Sequence, residues 1–516
     1  MSKVAKPRLW CLSQLEFYVA FISVASAMIY LASQSNHWRH LCRSYRSCDH
    51  FLRPQDTADD QWREFRSGLP LLGAVMLAHA AASRSIRALV TKPHLLAQAR
   101  LALSLTLSAV LLFVLHGADA LIPVALASLS YFIGNATAGS ASAPWATWSC
   151  GLGLLYLKEF HGKSMRWGLG GLWSGMQPWT ITFNLVVLRL ISFNMDIHWS
   201  AQGGNSNSSG SSSKPSSPRP SAPSATAYWT FLVYIFYAPC YLAGPVMCYK
   251  DFRANLQRPD SSRQSSAASL IPYASRLAFS IVLMEVAMRY YPVFALARSG
   301  VFRLLAPGSL CIFVYGLLQT MWVKFLVIWR FARLWCLLDG VNPPENMTRC
   351  VSNSQKLSDF WRGWHCSFNK WLIRYIYVPL GGSKSQHWNI FVVFGFVALW
   401  HDWQPKLFVW GLMNGLVFAC ERSICAWYHS SEALSGLRSH LAWNRLISTL
   451  AAVACQFLLI TANVVGYAVG IEGTGAAMSI VGKAGAGWAA AGTFMTLAGG
   501  VLLMFDLEER RAIAAQ

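Results

Sequence analysis

Two histidines in an apolar part of the chain are the side chains best suited to proton-transfer chemistry. His401 lies near the end of the apolar run 389–403, and His365 lies in the segment before it. An ionisable side chain is costly at membrane depth, which makes it a candidate functional residue, and a neutral imidazole can accept a proton from a hydroxyl group. The alternative is that His401, between Trp400 and Trp403, belongs to an aromatic belt at the lipid surface.

Residues 358–375, which contain His365, are rich in both aromatic and polar side chains. If this segment is one helix, residues three and four apart share a face. That spacing predicts an aromatic stripe of Trp361, Trp364, Phe368, Trp371 and Tyr375. It also predicts a neighbouring polar strip of Arg362, His365 and Asn369. The stripe alone is typical of packing, whereas an imidazole, an amide and a guanidinium on the adjacent strip favour a functional surface.

A short connection joins this segment to the run that holds His401. Pro379-Leu380-Gly381-Gly382 is a turn signal, and residues 383–387 form a brief polar loop. Antiparallel helices joined in this way can bring His365 and His401 into one intramembrane site. We do not expect zinc, because two histidines without a third clustered ligand are a weak metal signal. We do not expect a nucleophilic serine either, since no Gly-x-Ser-x-Gly elbow lies nearby.

The composition assigns these residues to a membrane protein. The chain has 516 residues, is 54% hydrophobic and 13% charged, and contains 23 Trp and 28 Phe, which a soluble domain could not bury. Its net charge of +21 does not indicate a nucleic-acid partner, because no soluble domain gathers the cations. The charge favours loops that face the cytoplasm and anionic headgroups. We expect no cleaved signal, since the apolar stretch near 16–34 is long enough to span.

Apolar stretches long enough to cross a bilayer recur along the chain. At roughly 20 residues per span, they predict an all-α polytopic membrane protein of about ten to twelve transmembrane segments. Several segments are broken, for example at Pro239, Pro245 and Pro292. Irregular backbone at membrane depth is tolerated only where protein or a water-filled cavity covers it, so we expect a helical body around an internal chamber. We treat 1–516 as one transmembrane domain, with 322–427 as its catalytic core segment.

The segment 201–226 differs from the rest of the chain. It is rich in Ser, Pro and Gly and almost free of apolar residues, which predicts a disordered loop inside the domain. Glycosylation sequons occur at Asn135, Asn207 and Asn346, and their use would require a lumenal position. Cys42 and Cys48 could form a disulfide if their polar loop is lumenal.

A series of motifs resembles the membrane-bound O-acyltransferase (MBOAT) family, and within it the glycerol-uptake-protein branch that is related to hedgehog acyltransferase. The matching pieces are Arg189–Asp196, Tyr237–Pro245, Trp335–Gly340 with Pro343–Met347, Phe360–Gly382 and Ala398–Asp402. One such piece would be a weak signal. Their order over roughly residues 70–505 makes the resemblance specific.

The resemblance implies a reaction in which a fatty acyl group moves from acyl-coenzyme A to an acceptor hydroxyl. It implies a chamber in a membrane, usually of the endoplasmic reticulum, and no bound cofactor or metal. The catalytic histidine of the family's Trp-His-Asp context corresponds to His401, and a second polar position upstream corresponds to His365. His401 would accept the acceptor's proton, while His365 or Asn369 would orient the acceptor or donate a hydrogen bond to the developing oxyanion.

Other side chains near these motifs are candidates for binding substrate. Guanidinium and ammonium groups complement phosphate, so cations of this region are candidates for the coenzyme A phosphates; the alternative is that they anchor loops to the cytoplasmic surface. These cations are Arg330, Arg333, Arg362, Lys370 and Arg374. The other substrate-binding candidates are Asn369, Trp361, Trp364, Trp371 and Asp339.

We therefore expect an O-acyltransferase whose partners are membrane lipids, acyl-CoA and a lipid or lipidated-protein acceptor. The resemblance favours a lyso form of a glycosylphosphatidylinositol (GPI) anchor, because proteins of this branch are linked to GPI lipid remodelling and to glycerol uptake. One alternative is a protein acyltransferase of the hedgehog-acyltransferase type. Another is a glycerol or polyol transporter. The sequence contains no inverted repeat of broken helices, which favours an enzyme over a transporter.

Overall fold

The computed structural model describes residues 12–52, 54–162, 164–165, 175–205, 225–257, 267–354, 356–483 and 485–514. The regular secondary structure in these ranges is helical, without a β-strand. Ten of the helices found there are long and apolar enough to cross a membrane. The prediction of an all-α polytopic membrane protein is confirmed.

The N-terminal part of the chain forms long helices joined by short connections. Their bounds are Gln14–Ser44 (α1), Arg46–Asp49 (α2), Asp60–Leu89 (α3), Pro93–His116 (α4), Leu121–Thr137 (α5), Ala143–His161 (α6) and Thr180–Asn205 (α7). Three shorter helices follow, Ala225–Phe236 (α8), Ala238–Tyr241 (α9) and Tyr249–Gln257 (α10). Residues 206–224, most of the segment predicted as a disordered loop, lie outside the described residues.

The C-terminal part contains the segment that carries both histidines. Its helices are Ala267–Tyr290 (α11), Val293–Ser299 (α12), Pro307–Leu338 (α13), Leu357–Gly363 (α14), Cys366–Leu372 (α15), Gln386–His401 (α16), Pro405–Ser430 (α17), Ser435–Ser439 (α18), Leu441–Asn463 (α19), Gly470–Val481 (α20) and Gly487–Ala514 (α21). Two π-helical turns, Ile373–Tyr377 and Val464–Ala468, continue α15 and α19. α16 packs antiparallel to α17, and α21 packs along α1.

The helix α7 is the most deeply buried of the candidate spanning helices, with 72% of its most apolar window inside the protein. Its polar side chains bind the irregular backbone that the prolines create between α8 and α10. The Arg189 guanidinium donates to the carbonyl oxygens of Ile235, at 2.6 Å, and of Cys240. The Asp196 carboxylate accepts the Lys250 N–H at 2.9 Å. This broken segment is tolerated at membrane depth because α7 supplies hydrogen-bond partners that water would otherwise have to supply.

The segment 358–375 is two helices, α14 and α15, and the prediction of one helix is wrong. The break lies at His365, whose backbone is left-handed with φ 44°. The preceding residue, Trp364, forms an isolated antiparallel bridge with Met347. A pairing with an upstream segment therefore replaces the local helical hydrogen bonds, and the aromatic residues of the segment do not form one continuous stripe.

Two other features of the sequence have a defined place in the structure. Cys42 and Cys48 are joined by a disulfide bond. Asn346 is fully buried, and its Oδ1 accepts the Ser367 N–H at 3.1 Å. A glycan at Asn346 would not fit this fold. The sequon at Asn207 lies outside the described residues.

Candidate active site

A large internal cavity lies within the helical body. Its volume is about 2110 Å³, and most of the side chains that line it are apolar. The helices that contribute residues to the wall are α1, α3, α7, α12 to α17 and α19 to α21. Gln386 at the start of α16 and His401 at its end both line the cavity. At 1.5 Å per residue the cavity follows α16 for about 22 Å, most of the ~30 Å hydrocarbon thickness of a bilayer.

His401 is the last residue of α16, and its side chain is exposed on the cavity wall. Its ring makes edge contacts with Tyr467, at 5.4 Å between centroids, and with Trp410, at 6.3 Å. The end of α16 is held by α7, because the Asn184 side-chain amide donates to the carbonyls of Trp400, at 2.6 Å, and of His401, at 3.3 Å. The aromatic-belt alternative requires a ring that faces lipid, and this ring faces a cavity.

His365 lies on the same cavity wall, at the break between α14 and α15. Its imidazole stacks on the indole of Trp329 of α13, with 4.4 Å between ring centroids and 21° between planes. The Nε2 atom is buried and has no hydrogen-bond partner among the described residues. Left-handed backbone is costly for a residue with a side chain, by about 1–2 kcal/mol. The strained backbone places the His365 imidazole, whose Nε2 can still form a hydrogen bond, at the cavity. Backbone strain and an unpartnered buried polar atom are both common at functional sites.

One indole, that of Trp400, contacts both histidines. The Trp400 ring centroid is 6.4 Å from that of His365 and 4.6 Å from that of His401. Trp400 itself is buried and stacks obliquely on Phe368 at 4.4 Å. The structure thus brings both histidines to one region of one cavity, as the tight connection between the two segments predicts.

Four of the other predicted substrate-binding residues also line this cavity. They are Trp361, Arg362, Trp364 and Asn369. The Trp361 ring packs edge-on against Trp410, at 5.6 Å, and its Nε1 is buried without a partner among the described residues. The Arg362 side chain is 75% exposed, and its closest carboxylate, Asp359, is 3.9 Å away. Arg362 is therefore a cation on the wall with little internal neutralisation.

The remaining predicted substrate-binding residues do not line the cavity. They are Arg330, Arg333, Lys370, Trp371, Arg374 and Asp339. Arg374 forms an ion pair of 2.7 Å with the buried Asp196 of α7. Arg333 lies 3.5 Å from Glu345, and Arg330 donates to Ser280. These arginines are engaged with protein groups, so the structure does not bring them to the histidines.

Asp339 and Trp371 have places in the protein interior. The Asp339 carboxylate is buried and accepts hydrogen bonds from the hydroxyls of Ser83, at 2.6 Å, and Tyr237, at 2.5 Å. It thereby links α3, the connection before α9 and the end of α13. The Trp371 indole is fully buried and donates to the Leu188 carbonyl at 2.9 Å. Their contacts hold helices together.

Several residues of the site have no recognisable sequence signal. These residues are Asn184, Trp410 and Tyr467, which lie on three different helical segments. In the sequence each of them is a single polar or aromatic residue within an apolar span. Only the packing of α7, α17 and the π-helical turn against α16 brings them to His401. A polar residue such as Asn184 inside a membrane span is in itself a weak indication of function.

Four basic side chains of the described residues line the cavity, and two of them, Arg298 and Lys324, are paired with carboxylates. Arg362 of α14 and Arg422 of α17 line it, and Arg422 lies near Gln386 at the start of α16, away from His401. Lys324 of α13 also lines the cavity, but its ammonium is paired with Asp59 at 2.8 Å. In the part of the chain that the structure describes, no three His, Cys, Asp or Glu side chains are grouped to hold a metal ion.

Comparisons with known proteins identify the family of this chain. The family model of MBOAT, the membrane-bound O-acyltransferase family, matches residues 164–462, which include both histidines. The membrane-bound O-acyltransferase gup1 of Schizosaccharomyces pombe is 31% identical over 484 residues, which cover 88% of this chain and 80% of that protein. GUP1 of Saccharomyces cerevisiae is 28% identical over 508 residues, covering 92% and 87%. The protein-cysteine N-palmitoyltransferase HHAT of Mus musculus is 29% identical over 241 residues, covering 44% and 48%.

Proposed function

The chain belongs to the membrane-bound O-acyltransferase family and is a multi-pass membrane acyltransferase, and on that premise we propose that it transfers a fatty acyl group from acyl-CoA to a lipid hydroxyl. His401 is the general base. The observation that carries the proposal is that His401 and His365 both contact Trp400 on the wall of one large apolar cavity.

The two histidines have different chemical roles in this proposal. The His401 imidazole accepts the proton of the acceptor hydroxyl as its oxygen attacks the thioester carbonyl carbon. When the carbon–sulfur bond breaks, the imidazolium returns the proton to the coenzyme A thiolate. A general base of this kind contributes about 10²–10⁴-fold. His365 and Asn369, on the same wall, orient the acceptor through hydrogen bonds.

The donor site extends along α16. Arg422 and Arg362 line the cavity, and Arg422 lies near the start of this helix. Guanidinium groups bind phosphate oxygens through paired hydrogen bonds. We propose that the coenzyme A phosphates contact these two arginines, with the thioester directed toward His401. An elongated donor suits a cavity that follows the helix for about 22 Å.

The acceptor we favour is a lyso-lipid, and among lyso-lipids a GPI anchor in the endoplasmic reticulum membrane. The support is the wide, mostly apolar cavity, which suits hydrocarbon chains, and the likeness to the Gup1 proteins. Any effect on glycerol uptake would then follow from membrane lipid composition. A second candidate, acyl transfer to a protein, is favoured by the likeness to HHAT, whose name gives a protein cysteine as its substrate.

The test is acyl transfer by the purified full-length protein in lipid vesicles. Labelled palmitoyl-CoA is offered with a lyso-phosphatidylinositol, a lyso-GPI or a peptide with an N-terminal cysteine, and the His401→Ala variant serves as the blank. We expect label in the lyso-GPI product, above the level of the blank. Labelling of the peptide alone would replace the lipid acceptor by a protein, and equal labelling by wild type and blank would overturn the proposal.

A further inference from the structure

The geometry of the cavity points to a third polar group in the reaction. We propose that the Tyr467 hydroxyl donates a hydrogen bond to the carbonyl oxygen of the acyl thioester beside His401 and keeps it as that oxygen becomes an oxyanion. This inference rests on the proposed acyl transfer and assigns one residue to it. Tyr467 lies outside residues 164–462, the part of the chain that the family model matches.

Tyr467 lies directly beside the general base. Its ring centroid is 5.4 Å from that of His401 and 5.3 Å from that of Trp410, with the planes at 70° and 81°. Trp410 in turn contacts His401 edge-on at 6.3 Å. The three rings therefore form a closed triangle of edge contacts, which fixes the Tyr467 ring relative to the imidazole. Tyr467 and His401 both line the cavity.

The backbone at Tyr467 is a π-helical turn, and this turn places the Tyr467 ring against His401. Tyr467 lies in the π-helical turn Val464–Ala468, and such turns occur frequently at functional sites. Its neighbour Gly466 lies so close to the Trp410 indole that an added Cβ would be 2.8 Å from the ring. The Trp410 Nε1 is held by the Asn463 side-chain oxygen at 3.2 Å. The turn thus packs tightly against Trp410 and presents the next residue to His401.

The Tyr467 hydroxyl forms no hydrogen bond with any described residue, so it is able to donate one. Its oxygen is buried, and no described residue bonds to it, although its ring lines the cavity. A buried hydroxyl without a partner is unfavourable, so its presence needs an explanation. The carbonyl of a thioester positioned for attack by an acceptor bound at His401 would supply the missing acceptor. A packing role alone would be filled equally well by phenylalanine.

The proposed hydrogen bond leaves the reaction balanced. The acceptor oxygen forms a bond to the carbonyl carbon and its proton goes to His401, so the negative charge develops on the carbonyl oxygen. Tyr467 donates its O–H to that oxygen and keeps its proton throughout. The carbonyl re-forms as the carbon–sulfur bond breaks, and the thiolate takes the proton from His401. The hydrogen bond is stronger in the transition state than in the bound substrate because the oxygen has become more negative. This difference in strength lowers the activation barrier.

The first test compares Tyr467→Phe with wild type in the acyl-transfer assay. This substitution keeps the ring and its contacts with His401 and Trp410 and removes only the hydroxyl. We expect kcat to fall by about 10²-fold, as on removal of one oxyanion donor, and KM for acyl-CoA to rise by no more than about 5–10-fold, because the hydrogen bond is weaker before the charge develops. The matched control is Tyr428→Phe. Tyr428 donates to Asn444 at 3.1 Å, away from the cavity wall, and its substitution should leave kcat unchanged.

The second test needs no turnover. A ketone analogue of acyl-CoA, with a methylene group in place of the thioester sulfur, keeps the carbonyl but cannot be transferred, and a thioether analogue lacks the carbonyl. We expect Tyr467→Phe to bind the ketone about 5–10-fold more weakly than wild type does and to bind the thioether equally well. A merely structural role for Tyr467 would change both affinities together.

The two measurements distinguish failure of this inference from failure of the proposed function. Equal kcat and equal ketone affinity in wild type and Tyr467→Phe would overturn the role of Tyr467 and leave acyl transfer by His401 intact. Failure of the wild-type protein to bind either analogue would overturn the acyl-CoA proposal, and the role of Tyr467 with it. Selective weakening of ketone binding together with the fall in kcat supports both.

Discussion

Asn184 of α7 and Trp400 of α16 exchange hydrogen bonds in both directions. The Asn184 side-chain amide donates to the Trp400 carbonyl at 2.6 Å, and the Trp400 indole N–H donates to the Asn184 backbone carbonyl at 2.8 Å. The same amide reaches the His401 carbonyl at 3.3 Å. The deeply buried α7 therefore fixes the end of the helix that carries His401, the proposed general base.

Replacement of Asn184 should reduce activity because His401 is no longer held in place, and not because substrate binding is lost. In Asn184→Leu, two carbonyl groups at the end of α16 lose their donor, which we expect to destabilise the protein by about 1–3 kcal/mol. The His401 ring loses its fixed position, so kcat should fall at least tenfold in protein that remains folded. The control Asn444→Leu removes a half-buried amide remote from the cavity and should lower thermal stability without lowering kcat.

Replacement of His401 should separate activity from stability. No described residue forms a hydrogen bond with the His401 imidazole, and the ring lines a cavity, so His401→Ala leaves no buried polar group without a partner. We expect transfer to fall by about 10²–10⁴-fold with a small change in Tm. Assay of transfer and Tm on the same preparation decides the matter. Full activity in a folded variant would remove His401 from the mechanism.

The backbone at His365 predicts an unusual order of stability among substitutions. His365 is the one non-glycine residue with positive φ in the part of the chain that the structure describes. Glycine adopts this conformation without strain, whereas alanine does not, so His365→Gly should be more stable than His365→Ala by about 1 kcal/mol. Thermal unfolding in detergent measures this difference. If alanine were the more stable of the two, the left-handed conformation would be wrong.

The same position should tolerate asparagine better than glycine in the activity assay. Asparagine adopts left-handed backbone more readily than other non-glycine residues and offers an amide for hydrogen bonding. We expect His365→Asn to retain more transfer than His365→Gly, which has the backbone freedom but no polar group. Equal activities of these two variants would contradict a hydrogen-bonding role for His365.

Arg362 and Arg374 are both predicted from the sequence to bind the coenzyme A phosphates, but their substitution should have different effects on KM and on stability. Arg362 lines the cavity with little neutralisation, whereas Arg374 is paired with the buried Asp196. Arg362→Ala should raise KM for acyl-CoA several-fold without lowering Tm. Arg374→Ala should leave KM unchanged and cost about 1–3 kcal/mol of stability, because a buried carboxylate loses its charged partner. Initial rates over a range of acyl-CoA concentrations, with Tm for each variant, test both.

The sequence by itself determined that this is an all-α membrane protein of the acyltransferase class, and it predicts that His365 and His401 share one site. Apolar runs of spanning length can only be satisfied in a bilayer by helices, so composition and run length predict the all-α membrane fold. The costly placement of imidazole at membrane depth, together with the tight turn between two segments, predicts that His365 and His401 meet. Run length, residue type and a short connection are local properties of the chain, so the sequence alone contains them.

Only the tertiary structure decided how the site is built around those histidines. The pairing of Trp364 with Met347 breaks the predicted helix at His365, because a long-range contact outcompetes local helical hydrogen bonds. Arg362 and Arg374 have the same charge, but only Arg374 meets Asp196 of α7, and that ion pair joins two helical segments. Tyr467 meets His401 through a π-helical turn on a distant segment. Contacts between residues remote in sequence depend on how helices pack, and no local pattern records them.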